Sequence, residues 1–267
     1  LFLLVMVMCA SPLAAHADVI LHSMDWRILS AGDSYSKETY WDGNENPTTI
    51  INDGDAWNHS QQDSDLPTGA EHRVDGTSTS GRAQAQGVAL EQSWLDGTGF
   101  RTSGSASGTA IGNSCYTGWY QADVWGTVDV ISCFETVFEL TESDTIDLSG
   151  MLCATWDNYS YASTHLLFSD LDGTTLLELY ANPFDSPCQI SFSQVLAADS
   201  YRLEIASAYS YLTGGDRIAG AGSYDVRASF SSQVVAPLDS VPEPATVTLL
   251  GLGLFGLTLR WRSARRS

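Results

Sequence analysis

The chain has 267 residues, 43% of them hydrophobic and 16% charged, with 32 acidic against 12 basic residues and a formal net charge of −20. Asp18–Ser240 alone holds 31 of those 32 acids and 8 of those 12 basic residues, a net −23, and Lys37 is the only lysine. A surface of that sign repels polyanions, which are bound through clustered Lys and Arg, so nucleic-acid binding is excluded as a function class.

The chain opens on LFLLVMVMCA, an unbroken apolar run from Leu1 to Ala10, followed by Pro12 and by Ala15-His16-Ala17. Small residues at the first and third places before a break make a signal-peptidase site, so residues 1–17 read as a signal peptide with cleavage after Ala17. Signal peptidase is therefore the first expected partner. The basic segment that normally precedes such a run is not among these residues, and the leader is expected to begin upstream of Leu1. The apolar run is too short for a membrane anchor.

Residues 18–240 read as one exported domain, about 220 residues long, enough to bury a core without metal or disulfide help. Its first part, residues 31–80, is rich in Asp, Asn, Ser and Gly and poor in aliphatics. It is expected to form long loops or an irregular lobe on the same domain. No cofactor motif occurs. Calcium is the one ion these loops point to, through Asp42, Asn44, Asn46 and Asp53. Pro47, however, stands where such a loop needs Gly, and Asx residues also make turns without metal. Trp41, Trp57, Trp119, Tyr120 and Trp125 supply aromatic rings beside acids and amides. Trp57, inside the polar stretch Asp53–Ser64, is the ring expected to be exposed and to stack on a sugar.

The rest of the domain alternates with a period of two. Tyr224, Val226, Ala228 and Phe230 alternate with Asp225, Arg227, Ser229 and Ser231; Tyr201, Leu203 and Ile205 alternate with Arg202, Glu204 and Ala206. This pattern predicts half-buried antiparallel strands. Asp172-Gly173 between His165–Ser169 and Thr175–Tyr180 predicts a hairpin. Roughly ten short strands are expected between Arg82 and Val235, with no amphipathic helix longer than two turns, which points to an all-β, antiparallel sandwich or jelly-roll-like domain. Four cysteines, Cys115, Cys133, Cys153 and Cys188, form an even set in an exported domain, so two disulfides are expected, their pairing open. The histidines His22, His59, His72 and His165 belong to no HExxH, and no G-x-S-x-G occurs, so zinc-protease and serine-esterase signatures are missing.

The last segment reads VPEPATVTLLGLGLFGLTLRWRSARRS. Val241, Pro242, Glu243 and Pro244 should be extended, because proline lacks an N–H and disfavours helix in the residue before it. The uncharged stretch Ala245–Leu259 would make a helix of about 23 Å, a short transmembrane span that Arg260 can extend by snorkelling. Arg260, Arg262, Arg265 and Arg266 form a basic tail held on the cytoplasmic side by the positive-inside bias, which leaves the domain outside. Gly251, Gly253 and Gly256 fit G-x-G-x-x-G, but no βαβ unit follows them; they read as small residues in a membrane helix.

This order of VPEP, apolar span and arginine cluster resembles the PEP-CTERM sorting signal. The resemblance covers about 27 residues and implies an exosortase, a membrane-embedded cysteine transpeptidase-like enzyme of Gram-negative bacteria, as the processing partner. It also implies a transient inner-membrane stage, delivery to the cell surface or extracellular matrix, and a link to exopolysaccharide. The expected function is thus that of a non-enzymatic surface or matrix protein associated with biofilm. A carbohydrate-binding module for the cell's own polysaccharide is the alternative, and a jelly-roll polysaccharide-degrading enzyme, a lyase or glycosidase, is the second alternative.

Overall fold

The computed structural model describes residues 18–41, 47–64, 68–112, 114–117, 120–156, 161–213 and 218–235. The chain divides into two units, Leu1–Ala236 and Pro237–Ser267, and all of these residues belong to the first. Every regular element among the described residues is a strand: β1 (Asp18–Trp41), β2 (Pro47–Asp63), β3 (Thr68–Ser80), β4 (Ala83–Asp96), β5 (Gly99–Ile111), β6 (Cys115–Thr117), β7 (Tyr120–Leu140), β8 (Asp144–Trp156), β9 (Tyr161–Asp170), β10 (Thr175–Ala181), β11 (Cys188–Leu196), β12 (Ser200–Thr213), β13 (Ile218–Phe230) and β14 (Gln233–Val235).

They form two sheets. One has eight strands in the order β10-β9-β12-β7-β1-β14, with β2 also paired to β1 and β6 to β7; the other has six in the order β11-β8-β13-β5-β4-β3. The sheets face each other: β4 lies over β1 and β7, β5 over β7 and β12, β13 over β12 and β9, β3 over β1 and β2. Pairing is antiparallel throughout, apart from a three-residue parallel contact of β14 with the start of β1. The expected all-β antiparallel class holds.

The alternation builds the core directly. Along β7 every even residue from Ala122 to Leu140 is buried, and its odd neighbours face solvent. Bulky inward residues gather at one end, where Phe100, Phe134, Phe138, Phe168, Phe230 and Tyr201 stack edge and face against one another. Toward the other end the filling shrinks to Trp57, Trp26, Ile28, Tyr209 and a set of alanines, and then to Ala83, Ala122 and Val124. Burial of this apolar surface, at about 25 cal/mol per Å², is the main force holding the sheets together. The β9–β10 hairpin forms at Asp172-Gly173 as its sequence requires. Gly173 takes φ +90°, and Asp170 Oδ1 accepts from the Thr174 N–H at 2.6 Å.

Residues 31–80 depart from expectation. Instead of loops they complete β1 and supply β2 and β3, paired in register over Trp26–Trp41 with Pro47–Asp63 and over Thr68–Ser80 with Ala83–Trp94. β2 and β3 are edge strands, so their backbone ladders satisfy one side while polar side chains face water. Their inward positions need little apolar bulk, because Gly32, Gly76 and Gly87 close around the single large ring of Trp57.

Candidate functional site

Trp57, expected to be exposed, is 8% exposed and lies between the sheets. Its Nε1–H donates to Ser30 Oγ at 3.0 Å, and a Cβ at Gly76 would fall inside the indole. The cause is phase. Trp57 shares the inward face of β2, opposite Gly32 of β1, and the polarity of its neighbours reflects only an edge strand. It cannot stack on an external sugar. Of the other rings, Trp41 is half-buried, and Tyr120 donates its hydroxyl to Glu38 Oε2 at 2.6 Å. Trp119 lies outside the described residues. Trp125 does sit on the solvent face of the large sheet, stacked on Tyr35 with ring centroids 5.4 Å apart.

The expected disulfides are absent: Cys115, Cys133, Cys153 and Cys188 are all free. Strand phase explains it. Cys133 follows the outward residues of β7 and Cys153 those of β8, which puts them on opposite outer surfaces. Cys188 stands in register with Leu152 and packs against the inner core, across the sheet from the neighbouring Cys153. Cys115 packs with Ala83, Ala122 and Val124 at the other end. Burial pushes the Cys133 thiol up. Of the calcium candidates, Asp53 is exposed on β2 opposite Ser36, and Asp42, Asn44 and Asn46 lie outside the described residues. No group of three or more His, Cys, Asp or Glu suited to a metal occurs among the described residues.

Three acids are buried among the described residues, and one of them, Asp144, accepts from the Thr145 and Ser232 N–H groups at 2.7 and 3.0 Å. Glu38 of β1 is held by Arg82 Nε at 3.1 Å and by the Tyr120 hydroxyl. Glu91 of β4 is 1% exposed, accepts from Ser93 Oγ and from Thr102 Oγ1 at 3.3 Å, and has no partner for Oε2. Burial raises its pKa to about 7, against the weaker lowering by those hydroxyls. Glu91 belongs to a polar belt across the interior. Ser132 Oγ lies 3.2 Å from Tyr224 Oη, and Thr164 Oγ1 donates to Ser207 Oγ at 3.3 Å. Burial also raises the Tyr224 pKa. The sequence carries a signal for Glu91: it falls in phase with the inward Ala83, Ala85 and Ala89.

The outer faces carry the accessible chemistry. On the large sheet, His165 stacks on Tyr180 with centroids 4.1 Å apart, and both reach Glu178 Oε1, at 3.3 and 3.1 Å. Arg202 bridges Glu135 and Glu204. On the six-stranded sheet a groove of about 500 Å³ crosses β4, β5, β13 and β8. Trp94, Arg101, Arg227 and Ser149 follow one another in register across those strands. Arg101 donates from Nε and Nη2 to the two oxygens of Asp225 at 2.8 and 2.6 Å, and its Cζ lies 5.4 Å from the Trp94 ring centre. No sequence motif marks these four residues. Their one signal is that they occupy the outward phase of their strands.

Comparison with known proteins locates the strongest functional information elsewhere. Residues 240–266 match the PEP-CTERM protein-sorting motif. The chain carries a PEP-CTERM sorting signal. Its matched span contains Val241, Pro242, Glu243 and Pro244 together with Arg260, Arg262, Arg265 and Arg266. The motif implies export through the membrane to the cell surface, with an exosortase as processing partner. These residues, the expected helix Ala245–Leu259 and the leader residues Ala15 and Ala17 lie outside the described residues. Among the described residues no helix is long and apolar enough to cross a membrane. No curated protein matches the chain. A solved structure, "Structure of infectious bursal disease virus Gx strain", aligns over 90% of this chain and 74% of its own at 9% identity with a TM-score of 0.17, a likeness that carries no argument.

Proposed function

We propose that this PEP-CTERM protein is a non-enzymatic surface or extracellular-matrix component of a Gram-negative bacterium. In this reading it crosses the inner membrane behind its leader and is held by a short helix at Ala245–Leu259. An exosortase then releases it at Val241–Pro244, and it becomes associated with exopolysaccharide. The observation that carries the reading is the sorting motif over residues 240–266, with its arginines after the apolar stretch. A body of net −23 with an all-strand fold suits a soluble matrix protein. Deleting Val241–Ser267 tests it: the truncated protein is expected in the medium, while the full chain is retained and processed. Unchanged retention and unchanged processing would overturn it.

A carbohydrate-binding role is the second reading. It is favoured by indole rings on both outer faces, Trp125 beside Tyr35 and Trp94 beside Arg101. Large rings left at the solvent surface of a sheet commonly serve recognition. The polysaccharide-degrading alternative would draw on His165, Tyr180 and Glu178, whose mutual stacking and shared oxygen tie them to one another.

A further inference from the structure

We infer that the groove on the outer face of the six-stranded sheet, walled by Trp94 and floored by Arg101, Arg227 and Ser149, binds an uncharged polysaccharide. The inference rests on the carbohydrate-binding reading and deepens it by assigning it a site and a ligand class.

Position argues first. On the two central strands the outward residues are small, Ser103, Ser105 and Ser107 on β5 and Ala219, Ala221 and Ser223 on β13. The large polar side chains gather at one end, Arg101 and Arg227 in register with Trp94 and Asp225 one outward position along, opposite Ser103. Exposed ion pairs add little to stability, about 0–1 kcal/mol each, so folding gives weak reason for concentrating them there. The row Trp94–Arg101–Arg227–Ser149 spans four strands, roughly 14 Å at about 4.8 Å per step. That length suits two or three linked sugar rings laid across the strands.

Charge then selects the ligand. Arg101 is bound to Asp225 through both carboxylate oxygens, and Arg227 Nη2 lies 3.7 Å from Asp96. Two cations and two anions leave the groove with no net charge, on a body of −23. A polyuronate would meet long-range repulsion with no local excess of positive charge to offset it. Neutral vicinal diols suit the same groups: one hydroxyl donates to Asp225 or Asp96 while its neighbour accepts from a free guanidinium N–H. The Trp94 indole, steadied by the Arg101 guanidinium and abutted by Gly69, offers the apolar wall for the C–H face of a pyranose.

The test is affinity electrophoresis of the full chain in a detergent without sugar head groups. The gels contain hydroxyethylcellulose, laminarin, galactomannan or alginate. At least one neutral polymer should retard the protein and alginate should not. Trp94→Ala, and Ser149→Tyr, which fills the groove from a neighbouring strand, should each weaken retardation by about tenfold or more. Trp125→Ala, on the opposite sheet, should retain it. Melting temperatures within a degree or two of the parent would show that the variants are folded. The inference is overturned if no neutral polymer retards the chain or alginate retards it more strongly. It is also overturned if folded Trp94→Ala and Ser149→Tyr bind like the parent, or if Trp125→Ala alone abolishes binding. The readout uses purified protein and is independent of sorting: normal retardation with failed processing would sink only the destination, and the converse only the groove.

Discussion

Glu91 shows how a single residue couples the interior to pH. Burial disfavours the ionised form of its carboxyl, with one oxygen unpartnered and a pKa raised from 4.5 to about 7. The folded state therefore binds this proton more tightly than the unfolded chain does. Its stability contribution is greatest below about pH 4.5, declines as pH rises through 7, and is level above that. The shift corresponds to about 3 kcal/mol. Glu91→Gln keeps the shape without the charge, so it should match the parent near pH 4 and exceed it by about 2–3 kcal/mol at pH 8 in urea unfolding. A difference between the two that does not vary with pH would contradict this account of Glu91. Trp57 gives a second test at this scale. As a core ring it should cost about 3–5 kcal/mol when replaced by Ala, and Trp57→Phe, which removes the Ser30 hydrogen bond but keeps most of the ring, should cost far less. A folded, equally stable Trp57→Ala protein would contradict its burial.

At the scale of elements, the strands that could be read from sequence are those with apolar inner faces. β12 and β13 alternate strongly, and β9 and β10 flank an Asp-Gly turn; their phase and turn were legible, but not their full length, since β12 runs on to Thr213, β13 begins at Ile218 and β9 at Tyr161. β2 and β3 were not, because an edge strand needs only backbone pairing on one side. Beside Trp57, their inward residues are mostly small or polar, such as His72, Gly76, Ser78 and Ser80, with the aliphatic Val74 packed on the core. The same cause hid Trp57: without knowing that residues 47–63 form a strand, no phase can be assigned to the ring. The groove residues were illegible for a different reason. Trp94, Arg101 and Arg227 come together only through cross-strand register, which no single segment displays. Close approach of β2 and β3 over Trp57 depends on Gly76, where an added Cβ would collide with the indole. Gly76→Ala should therefore lower stability by about 1–3 kcal/mol through overpacking. Hydrogen exchange should quicken in β2 and β3 before it does in β7; uniform quickening over both sheets would mean that this edge is not an independent unit.

The whole molecule combines a strand-built body of high negative charge with a C-terminal PEP-CTERM motif of opposite sign. Self-repulsion among 31 acids should make the body more stable in salt. Raising NaCl from about 10 mM to about 150 mM at pH 8 shortens the screening length from about 30 to about 8 Å and should raise the melting temperature by a few degrees. A fall in melting temperature would show that attractive pairs such as Arg101–Asp225 outweigh the net repulsion. The C-terminal end of the chain was its most legible part, because a sorting signal is read as linear sequence. It needs none of the long-range contacts that define the sandwich. The central claim is that the body is cut free of its basic tail during sorting. Its most direct test is the intact mass of the protein recovered from the cell surface or matrix of producing cells. The account predicts an N-terminus at Asp18 and a C-terminus within or beside Val241–Pro244, with Arg260–Arg266 lost; a surface protein still ending at Ser267 would contradict it.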